Sequence, residues 1–163
     1  MPSILFVCSA NQCRSPMAQV LFEAFLVEKG EREAWRVESA GVWAYDGSPA
    51  TANAQRVMAE RGLDLSRHLS QPASSTLLKQ FDLTVVMEQE HKTVLQGQNP
   101  QLADRIYLMR EIADQEGDFA DPVGGSLERY RAAADELERL IEVSFDRIDE
   151  LIEAPGLDSV QLK

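Results

Sequence analysis

Residues 4 to 16 read "ILFVCSANQCRSP", a stretch in which a cysteine is followed, six positions on, by an arginine, a serine and a proline. A cysteine at position 8 is a candidate nucleophile, and Arg14 carries a planar fork able to hold two oxygens of a phosphate. Backbone N–H groups of Ser9, Ala10, Asn11, Gln12, Cys13 and Arg14 can converge on one centre if this loop joins a buried strand to a helix N-terminus. There the helix dipole adds positive potential. The same field favours the thiolate form of a cysteine placed in it. The other reading of Cys8 is an ordinary buried cysteine at a strand end. Its position and the arginine six residues later argue for the nucleophile. Cys13 has two readings, a core-facing side chain at the end of the loop or a redox guard for Cys8.

A thiolate in a phosphate cradle needs an acid, because an alkoxide or phenoxide leaves a phosphate monoester slowly unless its oxygen is protonated. Asp121 is the candidate. It lies in "FADPVGGS", where Pro122 restrains the residue before it and two glycines permit a sharp turn, so a loop can hold the carboxylate at the mouth of a site. Alone, the same residues read as a plain Asp-Pro turn.

The elements that must position these groups follow from the pattern of apolar residues. "SILFV" (3–7) suits a strand buried on both faces, and a helix is expected after it, capped by Ser15 with Pro16 in its first position. "WRVESAG" (35–41) is a second strand, followed by a helix with Ser48 as cap, Pro49 in the first turn and Gly62 as terminator. "FDLTVVM" (81–87), its helix "EQEHKTVLQG" and "DRIYLM" (104–109) continue the alternation. A long amphipathic helix is expected from about Leu127 to Leu151. The pattern predicts a single α/β domain with a four-stranded parallel sheet, helices on both faces and the phosphate loop after the first strand. Ligands of such sheets bind beyond the strands' carboxyl ends, where Cys8 falls. The domain is placed at residues 1–152, with a tail, 153–163, expected to fray.

Composition bounds the function. The chain has 163 residues, enough for one domain with a proper core, and 44% apolar against 26% charged residues fits a soluble globular protein. No apolar run is long enough to span a membrane, and "MPSILFV" lacks the marks of a secretory signal, so the expected location is the cytoplasm. Two cysteines do not make a disulfide framework. A net charge of −11 opposes general binding to nucleic acid or anionic membranes. Any phosphate chemistry must therefore be local.

Cys8 to Pro16, with Asp121 and Pro122 downstream, resembles the low-molecular-weight protein-tyrosine phosphatases. The likeness extends to "ESAGV" (38–42), "GLDLSRH" (62–68), "FDLTVVM" (81–87) and "ADPVGGSLERY" (120–130). It implies a metal-free, cofactor-free hydrolase that acts on phosphorylated protein substrates through a cysteinyl-phosphate. Cys8 would be the nucleophile, Arg14 the phosphate clamp and Asp121 the acid that later activates water. Ser15 would steady the thiolate, and Asn11, Ser39 and His68 would hold the loop's shape. Nothing in the resemblance fixes the oligomeric state.

Four positions, Ala10, Gln12, Val123 and Gly124, depart from the family's pattern. Ala10 stands where glycine is usual, which motivates a non-catalytic phosphate-binding module as the alternative outside the enzymes. Val123 and Gly124 follow Asp-Pro where aromatic residues normally form the tyrosine-binding wall. Trp43 or Tyr45 would line the opposite wall or serve only in packing. "DPVGGSLERY" and "MEQEHK" are similar to the bacterial branch that includes protein-arginine phosphatases, yet Gln12 replaces its typical threonine. Phosphotyrosine is the leading expected substrate and phosphoarginine the runner-up. Arsenate reductases share the loop, but many need further cysteines downstream, and this chain has none after Cys13.

Overall fold

Strand β1, Ser3–Cys8, is apolar on both faces because both are covered: Ile4, Phe6 and Cys8 turn into one core, Leu5 and Val7 into another. That explains a run without polar alternation. The computed structural model that shows this describes residues 1–153. Around β1 lie β2 (Arg36–Gly41), β3 (Leu83–Val86) and β4 (Ile106–Leu108), in the order β2-β1-β3-β4. All neighbours are parallel, with Cys8 opposite Gly41 and Val7 opposite Val86. The single α/β domain with a four-stranded parallel sheet is thus the observed fold.

Helices cover both faces. Side chains from α1 (Arg14–Glu28), α2 (Ala52–Glu60) and α6 (Leu127–Glu153) form the larger core with Ile4, Phe6, Leu83 and Val85. The short α5 (Met109–Ile112) adds Met109 and Ile112 to it. On the opposite face α3 (Ser75–Leu78) and α4 (Gln89–Gln98) contribute Leu78 and Leu95. No helix among the described residues is long and apolar enough to cross a membrane.

Strand order reverses at β1: the chain moves from β1 to β2 on one side and returns to β3 on the other. The loops after β1 and β3 therefore part at the carboxyl end of the sheet, leaving a crevice between them. Residues 9–13 fill one side of it, and Met87 and Glu88 the other.

Several boundaries differ from expectation. Helix α1 begins at Arg14 with Cys13 as its cap residue, and Ser15 does not cap it, because the Ser15 hydroxyl is engaged with Cys8 and Asn11. Pro16 is tolerated in that first turn, where N–H groups have no partner within the helix. Helix α2 starts at Ala52 rather than near Pro49, capped by Thr51, whose Oγ1 accepts from the Ala54 N–H. Ser48 is instead tied to Ser70 by hydrogen bonds in both directions. Helices α3 and α5 and the 3-10 turns at Arg32–Ala34 and Pro100–Arg105 had no expected counterpart. Helix α6 runs to Glu153, one residue into the tail expected to fray; the rest of that tail lies outside the described residues.

Candidate active site

The loop from Ser9 to Cys13 is seated on the end of β2. Val42 N–H donates to the Cys8 carbonyl and Trp43 N–H to the Ser9 carbonyl, both at 2.9 Å. A Cβ at Gly41 would stand 2.7 Å from the Ser9 carbonyl oxygen and 2.8 Å from Asn11 N. Only glycine admits so close a backbone approach. On its other side the loop is pinned to the start of α2, where Thr51 N–H donates to the Gln12 carbonyl at 2.8 Å.

Asn11 is the hub of the loop. Its φ of 58° places it in the left-handed region, and it has no exposed surface. Its Nδ2 donates to Ser15 Oγ at 2.8 Å and to Ser39 Oγ at 3.0 Å, and its Oδ1 accepts from Gln71 N–H at 3.0 Å. Its backbone carbonyl pairs with His68 Nε2 at 2.6 Å. Asparagine tolerates the left-handed turn better than most residues, and full pairing of its polar atoms fixes one loop shape. Sequence reasoning brought Asn11, Ser39 and His68 together but missed Gln71, which no motif distinguishes from any exposed glutamine. Ala10 needs no glycine here, because it is exposed and its φ is not positive.

Cys8 Sγ lies 3.0 Å from Ser15 Oγ, which also faces the Ala40 carbonyl at 3.2 Å. A hydroxyl has one hydrogen, so it serves one of these acceptors at a time. With a thiol at position 8, the S–H donates to Ser15, which donates to Ala40. With a thiolate, Ser15 can turn its hydrogen to the sulfur. Cys8, Ser9, Ala10, Gln12, Cys13, Arg14, Asp121 and Val123 line a cavity of about 110 Å³. Neither Trp43 nor Tyr45 lines it; the Trp43 ring stands edge-on to His91 at 5.8 Å.

Arg14 is 1% exposed, and its guanidinium is held along one edge. Its NH1 donates to the Phe119 carbonyl at 2.7 Å and pairs with Glu88 Oε2 at 2.6 Å. Among the described residues its NH2 has only long contacts, 3.5 Å each, to Asp121 Oδ2 and Ser9 Oγ, and its Nε has none. The Nε/NH2 edge is therefore left for a ligand. Asp121 is 41% exposed and its other oxygen accepts from the Val123 N–H at 3.0 Å, an Asx turn of the kind expected of Asp-Pro. Phe119 N–H donates to the Met87 carbonyl at 2.8 Å, so this loop is anchored on the segment that follows β3. Glu88 was missed by sequence reasoning; an acidic residue after a strand carries no signal of its own.

The thiol of Cys13 is pushed up to about 12, first by burial and then by the charges of Asp121 and Cys8. It stays protonated at neutral pH. A neutral thiol is a weak nucleophile toward an oxidised neighbour, so burial works against the redox-guard reading.

Both histidines titrate below the usual histidine value, each chiefly because burial penalises the charged ring; the Arg14 charge adds to this at His91. The unfolded chain therefore binds protons at a higher pH than the native one. Their contribution to stability is present above about pH 6.5 and is lost as pH falls through the native values. The melting temperature should fall between pH 7.5 and pH 5.5, and fall less in a His68→Gln, His91→Gln double variant. Equal falls in the two proteins would refute the assignment.

Residues 3–153 match the family model of low molecular weight phosphotyrosine protein phosphatases. The chain belongs to that family. It is 36% identical, over 139 residues, to a protein-arginine-phosphatase of Bacillus subtilis, covering 85% of this chain and 91% of the relative. A solved low molecular weight protein tyrosine phosphatase from T. tengcongensis superposes with a TM-score of 0.85 at 39% identity, covering 90% of this chain and 99% of that one. A cysteine-to-serine mutant of the YwlE arginine phosphatase, solved with its active-site serine phosphorylated, gives 0.85 at 33% identity, covering 90% and 95%.

Proposed function

We propose that the protein is a phosphoprotein phosphatase that hydrolyses phosphate monoesters, phosphotyrosine first, through a cysteinyl-phosphate intermediate. The observation that carries this is one small cavity lined together by Cys8, Arg14 and Asp121. In the first step the Cys8 thiolate attacks phosphorus; the S–P bond forms as the P–O bond to the substrate breaks. The Asp121 carboxyl gives its proton to the leaving oxygen. The Nε/NH2 edge of Arg14 and the backbone N–H groups of the loop hold the remaining phosphoryl oxygens. In the second step the Asp121 carboxylate takes a proton from water, the water oxygen bonds to phosphorus, and the S–P bond breaks to return the thiolate and release phosphate. The phosphorylated serine in the mutant of the arginine phosphatase supports a covalent route.

Stopping turnover of an aryl phosphate with acid should leave phosphate bound to Cys8. Turnover with no trapped phosphate on that residue would overturn the covalent route. Asp121→Asn should slow the release of a poor leaving group about a hundredfold, the low end of general-acid effects, because the exposed carboxylate can be replaced in part by water. An unchanged rate reassigns the acid.

Phosphoarginine is the second reading. Val123, 55% exposed at the cavity mouth, offers less wall to an aromatic ring than the family's usual residues. The 36% identity to the Bacillus protein-arginine-phosphatase supports it as well. Matched phosphotyrosine and phosphoarginine peptides decide between them: a higher kcat/KM on phosphotyrosine supports the first reading, and the reverse order replaces it.

A further inference from the structure

We propose that the Ser9 hydroxyl is an additional hydrogen-bond donor to the bound phosphoryl group, and that His91 is the residue that aims it. The inference rests on the phosphatase reading above, since it needs a phosphoryl group in the cavity.

His91 stands in the first turn of α4 and has no exposed surface. Its Nδ1 accepts a hydrogen bond from the Glu88 N–H at 3.1 Å. A ring nitrogen that accepts carries no proton, so the neutral ring keeps its hydrogen on Nε2. Nε2 lies 2.9 Å from Ser9 Oγ, and the hydrogen bond therefore runs from His91 to Ser9. Arg14 NH2 approaches the same oxygen from a second direction at 3.5 Å. With its lone pairs facing two donors, Ser9 has its own hydrogen free. No protein acceptor for that hydrogen occurs among the described residues, and Ser9 lines the cavity beside Cys8 and Arg14. An anionic oxygen there is the acceptor it lacks, and a charge-assisted bond of this kind is roughly twice as strong as a neutral one.

The ring is held in this role from several sides. The Trp43 ring packs against it with centroids 5.8 Å apart, and Arg14 contributes a positive charge, whereas Glu88, Asp118 and Asp121 contribute negative ones. Burial and Arg14 prevail, which keeps the ring neutral at pH 7. Protonation would put a hydrogen on Nδ1 against the Glu88 N–H and break the arrangement. His91 touches no reacting atom; it is a positioning residue, and Ser9 is the group that meets the ligand.

Calorimetry of inorganic phosphate binding to the full-length protein tests this without turnover. Ser9→Ala and His91→Leu should each weaken binding about tenfold, as loss of a hydrogen bond to a charged group does. The double variant should be no weaker than either single one, because both act through one bond. His91→Gln, whose amide offers a donor and an acceptor, should recover most of the affinity and provides the test should His91→Leu not fold. The ratio of wild-type to Ser9→Ala affinity should shrink as the pH is lowered through the titration of His91, the ionisation of phosphate cancelling in the ratio. Losses that add in the double variant, or a Ser9→Ala protein that binds phosphate as the wild type does, would overturn the proposal. If that occurs while the wild type still hydrolyses an aryl phosphate, the phosphatase reading survives. A wild type that neither binds phosphate nor hydrolyses the ester would sink both.

Discussion

Cys8→Ser lowers the turnover of an aryl phosphate by about 10⁴-fold or more and leaves phosphate binding near its wild-type strength, as expected when the nucleophile of a coupled set is removed. Serine is close to cysteine in size, and its hydroxyl can keep the contact that Cys8 Sγ makes with Ser15 at 3.0 Å. The fold and the cradle should therefore survive. Turnover should not, because a serine hydroxyl needs a base at hand to attack and an O–P bond, once formed, releases its phosphate far more slowly than an S–P bond. Both histidines are engaged elsewhere, His68 on the Asn11 carbonyl and His91 on Ser9. Asp121 is committed to the leaving oxygen in the first step. Steady-state rates and phosphate calorimetry on the two proteins separate these effects. Retention of more than about a hundredth of the activity would place the nucleophile elsewhere.

The fold was legible because its signals are local. β1 is a two-faced apolar run, and the alternation of strands with helices leaves a parallel sheet as the economical solution. Element ends were less legible where a side chain was drawn away by a distant partner. Ser15 reads as a cap in isolation, but Cys8 and Asn11 claim its hydroxyl. Ser48 likewise reads as a cap, but it is bound to Ser70, and Thr51 does the work. The four-residue helices α3 and α5 are too short to carry a periodic pattern.

The candidate site divides along the same line. Residues 8 to 15 are contiguous, so a phosphate loop can be read from spacing and residue type alone. The groups that hold it come from far along the chain: Phe119 is 105 positions from Arg14, and His91 is 82 from Ser9. Glu88, His91 and Gln71 belong to ordinary-looking polar stretches, and only the reversal of strand order at β1 brings the first two to the loop. Gly41 is a further case. Its requirement for glycine arises from the Ser9 carbonyl and Asn11 amide packed against it, which the sequence "ESAGV" does not announce.

Arg14→Lys should lower kcat/KM for an aryl phosphate by about 10³-fold, although the charge is kept. In the native site one edge of the guanidinium satisfies the Phe119 carbonyl and Glu88, and the other faces the ligand. A lysine ammonium is a single point and cannot occupy both places. If it pairs with Glu88 it leaves the phosphoryl oxygens; if it turns to them, Glu88 stands beside an incoming anion with no counter-charge. This yields a change of sign that simple loss of a cation does not predict. In the wild type, Glu88→Gln should lower kcat/KM, because it loosens the buried edge of Arg14. In the Arg14→Lys background the same change should raise kcat/KM, because it removes a carboxylate that repels the substrate and competes for the ammonium. Rates of the four proteins at one pH complete the cycle. If Glu88→Gln lowers activity in both backgrounds by the same factor, Glu88 does not act through Arg14, and the division of the guanidinium into a held edge and a working edge is wrong.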